Sequence, residues 1–277
     1  MFSYTRRSFV REALLILLAA IWWLPFYILS VNSLAPVSAS GGTGLVVPEN
    51  PGFESYAQAW NGNGNGTLGN ALVSSAIITI GSVICLIAIG SVAAYVLARR
   101  GGRVSAALYG LFVLGIILPY QLGVVPLYAA FREFGLVGNY IGMILLYTGI
   151  LMPFSVFFYA GFIRALPRDY EEAASVDGAS RGRIFLRVVF PLLRPITATV
   201  AILTGLIIWN DFFTQLVFVG GSAMETLPVA VYSAVGAYAT QWSVVFAAVV
   251  IAVIPLLLVF LFAQRHLIQG FTGGTKG

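Results

Sequence analysis

Cysteine, histidine and lysine are almost missing from this chain. Its 277 residues include one cysteine, Cys85, one histidine, His266, and one lysine, Lys276. A single thiol inside an apolar run builds neither a disulfide framework nor a thiolate metal site. A single imidazole excludes histidine metal clusters and histidine-based catalytic triads. The shortage of lysine excludes more. A Walker A loop needs a lysine followed by Ser or Thr after a glycine-rich turn, and Lys276 is followed by Gly277. The chain is therefore expected to carry no cofactor and no metal of its own. If it works with ATP, another subunit binds the nucleotide and its Mg. Charge is scarce too. Only 9% of the residues are charged and 59% are hydrophobic, where a soluble domain carries about 25% charged residues. An integral membrane protein is expected. The net charge of +5 is spread as arginines between apolar runs. That spacing argues against nucleic acid and suits an anionic lipid leaflet.

What is present is a series of long apolar runs. Residues 1–12 are short and basic, with Arg6, Arg7 and Arg11. Ala13 to Val31 is uncharged, and 19 residues at about 1.5 Å each give roughly 28 Å, enough to cross the hydrocarbon core. A cleavable signal peptide would have a shorter apolar region ending near small residues. This run carries Trp22, Trp23 and Tyr27 and reads as a span. Residues 32–68 are rich in Gly, Pro and Asn and hold no Lys or Arg, which reads as an extracellular loop with a folded piece around Phe53 to Trp60. Asn65-Gly66-Thr67 matches a glycosylation sequon, a pattern too short to carry weight. Five more runs follow, near Gly69–Ala98, Val104–Ala130, Gly138–Ile163, Ile196–Gly220 and Ser243–Ala263. The fold class expected is an all-α membrane protein of six transmembrane helices over residues 13–263. Pro119, Pro126, Pro153 and Pro255 fall inside these runs and predict kinks.

Orientation follows from the excess of basic residues in cytoplasmic segments. With Met1 inside, 14 of the 15 basic residues fall inside and only Arg132 outside. Both termini are then cytoplasmic, with residues 164–195 forming a cytoplasmic loop and residues 264–277 a cytoplasmic tail. No repeat of 20–50 residues stands out.

The longest charged interval is that loop, reading DYEEAASVDGASRGRIFLRVVFPLLRP from Asp169 to Pro195. Asp169 followed by Glu172 has the spacing of a capping box. Ala173, Ala174 and Val176 continue a short helix, and Gly178 can end it in the left-handed conformation. Ser180 can cap a second helix that Pro191 interrupts. Arg183, Arg187 and Arg194 share one face of it. Phe185, Val188, Val189 and Leu192 share the other, so the piece reads as lying against a membrane surface. Asp177 either caps the next turn or pairs with Arg181 four residues on.

Glu172-Ala173-Ala174, Gly178 and Phe190-Pro191 resemble the EAA coupling loop of ABC-importer permeases, which share a MetI-like bundle with a cytoplasmic coupling helix. Three other segments narrow the resemblance to carbohydrate permeases. Trp209-Asn210-Asp211-Phe212-Phe213 resembles their Trp-Asn-acid segment, and Thr226-Leu227-Pro228-Val229 their Thr-Leu-Pro turn. Gln264-Arg265-His266-Leu267 with Gly270 and the glycine-rich end is similar to the tail of the maltose-transporter G-type subunit. The resemblance implies a second, homologous permease, two cytoplasmic ATPase subunits that bind ATP and Mg, and an extracellular sugar-binding protein. It implies a bacterial or archaeal plasma membrane. It also implies that Glu171, Glu172, Ala173, Ala174, Asp177, Gly178 and Ala179 form the ATPase-coupling surface. For Glu171 and Glu172 a docking role is expected in addition to helix capping and solvation. Asp211 lies 15 residues past Ile196, roughly 22 Å deep in a span. An acid there is costly and faces a cavity or a partner. With Trp209 and Asn210 it suits a hydroxyl-rich substrate path, or it is satisfied by backbone or the partner permease. Gln269 and Gly270 would contact the ATPases if the tail inserts between them. A glycine-rich end of this kind does not hold a helix by itself.

Two other classes remain open. Another polar solute, such as a polyol or glycerol phosphate, would use the same machinery. An ion-coupled secondary transporter would show ionisable residues in several spans and two related halves, whereas only Asp211 qualifies here. An intramembrane enzyme would need a nucleophile with its base, or a metal site, and neither is present.

Overall fold

In lipid a backbone finds no water to bond, so long apolar runs close their hydrogen bonds internally as helices. The computed structural model shows only helical regular elements among the described residues. It describes residues 6–37, 44–45, 47–62 and 67–272, and of residues 6, 7, 259 and 262–272 the backbone alone. The sequon at Asn65 lies outside the described residues.

The helices are α1 (Arg6–Ser33), α2 (Glu54–Asn61), α3 (Leu68–Arg99), α4 (Arg103–Ile117), α5 (Val124–Glu133), α6 (Tyr140–Ala165), α7 (Asp169–Val176), α8 (Arg181–Ile184), α9 (Phe190–Leu192), α10 (Arg194–Asn210), α11 (Phe213–Val219), α12 (Leu227–Ala237) and α13 (Trp242–Thr272). Three helices are long and apolar enough to span a membrane unbroken: Ser8–Ser33, Leu68–Arg99 and Tyr140–Ala165. Two bent pairs pass the same test, Arg103–Ile117 with Tyr120–Glu133 and Arg181–Leu192 with Arg194–Asn210, the second taking in loop residues ahead of the run Ile196–Gly220. With α13 these elements overlap the six runs read in the sequence.

The chain divides into two compact units, Met1–Gly69 with Ala230–Pro255, and Asn70–Val229 with Leu256–Gly277. In the first, α2 is the folded piece expected near Phe53. Buried Ser55 donates to the Ala35 carbonyl at 2.8 Å, and the Ser33 and Tyr56 hydroxyls bond at 2.7 Å. The flanks of α1 are exposed along most of their length, Trp22 and Trp23 included, as suits a helix facing lipid.

In the second unit α6 is the central helix. Met143, Tyr147 and Leu151 pack into one core with Ile78, Leu86 and Phe218. Val156, Tyr159 and Ile163 pack into another with Ala94, Val189 and Val200. Small residues let α3 and α6 approach closely, as membrane helices require. A Cβ on Gly90 would lie 2.2 Å from Ser155 Oγ, which itself donates to the Leu86 carbonyl at 2.9 Å.

Two expected spans are broken. The run Val104–Ala130 is α4, a 3-10 turn at Tyr120–Gly123, and α5 at 90° to α4. Leu118 precedes Pro119 and is driven out of the helical region to ψ 125°, so the proline ends the helix instead of kinking it. The run Ile196–Gly220 is α10, a break at Asp211–Phe212, and α11. The Thr-Leu-Pro segment is the start of a helix, α12, which the sequence reading took for a turn. α13 continues helical to Thr272, past Gly270, because the sixth span propagates it; the tail was expected not to hold a helix alone.

Candidate functional site

The Asp169–Pro195 loop forms the expected helix, bend and second helix, with different caps. The N-cap of α7 is Arg168, and no side chain bonds the first turn. Asp169 is already helical, so the Asp169–Glu172 capping box does not form. Asp169, Glu171 and Glu172 instead place three carboxylates in the first turn, where the helix dipole favours them. The C-terminus behaves as the glycine predicts. Gly178 has φ +77°. Its amide donates to the Ser175 carbonyl at 3.0 Å, and the Ala179 amide to the Ala174 carbonyl at 3.0 Å. These two bonds define a Schellman motif. Because α7 stops there, Asp177 and Arg181 are not on one helix. Their i, i+4 pair is absent, and both side chains are exposed.

Helical periodicity splits the coupling residues between two faces. Tyr170, Glu172, Ala173 and Val176 point outward, with Val176 88% exposed. Glu171 and Ala174 point inward, and Ala174 and Ala179 pack against the core around Tyr159 and Ile163. Glu171 is held by α3. Arg99 Nε donates to its Oε1 at 2.7 Å, and Tyr95 Oη donates to its Oε2 at 2.8 Å. Arg99 Nη2 also donates to the Leu166 carbonyl at the end of α6, at 3.1 Å. Arg99 and Glu171 form an ion pair, and both side chains are largely buried. Both Glu171 oxygens are thus engaged within the chain, and of the two glutamates Glu172 is the one that faces out. Arg99 and Tyr95 escaped the sequence reading. Their partner lies more than 70 residues away, and an arginine at the end of a span looks like any other flanking charge.

Past the bend, Ser180 has N-cap backbone geometry but no side-chain cap bond. Pro191 does not interrupt the second helix. The turn ahead of it, Phe185–Val189, is a wide π turn in which the Phe190 amide reaches the Phe185 carbonyl, so the ring's missing N–H is absorbed by a shift of register. The chain turns instead at Leu193, where Arg181–Leu192 and Arg194–Asn210 meet at 74°. Arg183, Arg187 and Arg194 are exposed as expected. The buried face is Ile184, Phe185, Val189 and Leu193, packed into the protein core. Leu192 is exposed, and the buried apolar residues rest on neighbouring helices.

The Trp209-Asn210-Asp211 segment ends α10. Asp211 is not inside a continuous helix but at the break, in extended geometry. Its Oδ1 accepts from the Thr214 amide at 3.2 Å, capping the start of α11. Its Oδ2 accepts from Tyr147 Oη at 3.0 Å. Gln215 does the converse: its amide donates to the Ile208 carbonyl at 2.7 Å, a group that also accepts from the Asp211 amide at 3.3 Å. Gln215 is held in turn by the Thr226 hydroxyl. The sequence signal for it is a polar amide inside an apolar run, four residues after the acid. Trp209 is half-buried, and exposed Asn210 donates back to Leu206 at 2.8 Å. Gln269 and Gly270 lie in the last turns of α13, where only the backbone is described; Gly273 to Gly277 lie outside the described residues.

Comparison with known proteins agrees with this layout. Residues 86–273 match the family described as binding-protein-dependent transport system inner membrane component. The melibiose/raffinose/stachyose import permease protein MelC of Bacillus subtilis (strain 168) is 36% identical over 259 residues, covering 93% of this chain and 92% of that protein. The diacetylchitobiose uptake system permease protein NgcG of Streptomyces coelicolor is 32% identical over 275 residues, covering 99% and 90%. A crystal structure of a bacterial ABC transporter involved in import of the acidic polysaccharide alginate superposes with a TM-score of 0.79, covering 96% of this chain and 99% of that one, at 22% identity. That last likeness speaks for the fold alone.

Proposed function

The chain belongs to the family of binding-protein-dependent transport system inner membrane components, and from that premise we propose that it is the permease subunit of an ATP-driven carbohydrate importer. The observation that carries the reading is α7: a short helix stopped by a Schellman bend, with one face held by its own protein and the other left open. An exposed Val176 beside Glu172 and Tyr170 suits a helix that seats in a partner's cleft. The relatives' sugar substrates support the carbohydrate class.

In this reading two ATPase subunits bind ATP and Mg on the cytoplasmic side, and each grips one coupling helix. A second, homologous permease completes the path, and an extracellular binding protein delivers the sugar. Both termini of this chain are cytoplasmic. Trp209 and Asn210 face the path at the end of α10, while Asp211 holds the helix break open beside it. Gln269 and Gly270 reach the ATPases from the end of α13. Closure of the ATPases moves the coupling helices, and the bundle switches the side to which its path opens.

The test uses the assembled complex in vesicles. Uptake should stop when ATP is withheld and persist when a proton uncoupler is added; the opposite pattern overturns the ATP-driven reading. Gly178→Asp sets a carboxylate beside Asp177 at the negative end of α7. It should remove substrate-stimulated ATP hydrolysis while membrane insertion stays normal.

A further inference from the structure

The contact that joins Glu171 to α3 does more than fold the loop. We propose that Arg99 and Tyr95 are positioning residues that pin the coupling helix to α3, so that α7, the end of α6 and α3 move as one body. The proposal rests on the coupling role given to α7 above.

Three routes lead from α7 into the membrane. The shortest is the link Leu166 to Arg168, which joins α7 back to α6. The forward covalent route runs through the Gly178 bend, the wide turn at Phe185–Val189 and the 74° bend at Leu193 before α10 begins. Bends and wide turns are where helices give, so a push delivered along this forward route is dissipated. The third route is lateral. Arg99 is the last residue of α3, an unbroken helix of 32 residues, roughly 48 Å long. One guanidinium bridges Glu171 on α7 and the Leu166 carbonyl on α6. One turn earlier, Tyr95 takes the second carboxylate oxygen, and its ring packs on Phe185 at 5.1 Å between centroids. Both halves of the loop are thereby attached to the stiffest element they touch. Hydrogen bonds to charged groups are the stronger kind, and the burial of this pair protects it from screening. The lateral route ties the loop to α3 without passing through those bends.

The whole transporter in vesicles tests this. A cavity of about 700 Å³ beside the pair is lined also by Arg100, Arg168 and Arg181, so exchanging the two charges would disturb more than the pin. Neutral variants are cleaner. Arg99→Gln and Glu171→Gln should each lower substrate-stimulated ATP hydrolysis about tenfold at unchanged yield of complex. The double variant should be no worse than either single one. If both singles keep the full stimulated rate while Gly178→Asp abolishes it, the pin is wrong and the coupling loop stands. If Gly178→Asp also keeps the full rate, the coupling reading itself fails. A second arm does not depend on the yield of the neutral variants. In a Cys85→Ala background, Arg99→Cys and Glu171→Cys are joined by a short bifunctional thiol reagent. A pin that stays closed lets the joined complex turn over. Arrest by the link would mean that the contact must open in each cycle, and would overturn the proposal.

Discussion

Gly178 allows the backbone requirement of the coupling loop to be separated from any close approach of a partner. Its φ of +77° costs an ordinary L-residue about 1–2 kcal/mol. A Cβ placed there meets nothing within 4 Å, so within the chain a substitution changes backbone energy alone. The left-handed state of the bend should then lose population by about 5- to 30-fold for Ala, and by more for the β-branched Val. Asn tolerates this conformation far better although its side chain is larger than that of Ala. If the bend is what matters, Gly178→Asn keeps most of the substrate-stimulated ATP hydrolysis, Gly178→Ala loses several-fold and Gly178→Val loses most. If a partner surface needs the empty space, the first two change places, because size then decides. An Ala variant as active as Asn or more active refutes the backbone argument. Gly178→Asp has nearly the shape of Asn, so any loss beyond the Asn variant measures the added charge.

Four further outcomes follow. Gly90→Ala should destabilise the purified complex by about 1–3 kcal/mol, since its Cβ would meet Ser155 at 2.2 Å; adding Ser155→Gly should restore much of the thermal midpoint. Tyr147→Phe leaves one oxygen of Asp211 without its donor and should cost about 1–3 kcal/mol of stability; a changed KM for sugar uptake at unchanged stability would make Asp211 a substrate contact instead of a cap. In a Cys85→Ala background, Asn50→Cys should react with an impermeant thiol reagent in intact cells and Ser175→Cys should not; the reverse labelling would refute the orientation. Deleting residues 267–277 should leave the spans and the partner permease in place but lower retention of the ATPase subunits; full retention with full transport would make the tail dispensable.

The spans were legible because hydropathy is a sum over many residues. α3 and α6 begin and end within two residues of the apolar runs read for them. The Gly178 bend was legible because one residue type fits a left-handed turn. The departures share a cause. Hydropathy records that a run is apolar but not that it changes direction, so Pro119 signalled a kink but not a full break at Leu118, and the break at Asp211 was invisible. A cap depends on where the first helical residue falls; the helix began one residue before the position that Asp169 needed. Pro191 looked like a stop because the sequence does not show that a π turn can absorb its missing donor. Glu171 and Glu172 are adjacent and chemically alike, and their opposite roles are assigned by Arg99 and Tyr95, far away in sequence.

That division explains why the coupling motif has the residues it has. A helix of eight residues is too short to persist in water, so α7 must be held from outside itself. One face does this with a carboxylate clamped by α3 and with Ala174 against the core around Tyr159. In the proposed complex the other face stays open for an ATPase, and an open Val176 gains little until it is covered. Two adjacent alanines fall one on each face, the first outward and the second inward. Each allows close approach, Ala173 to the partner in the proposed complex and Ala174 to the chain's own core. Two adjacent glutamates divide in the same way. In the proposed complex the Glu-Glu-Ala-Ala run is a two-sided joint: the inner members set the position of the helix and the outer members are offered to the partner. Weakening either side should break coupling while leaving the six spans intact.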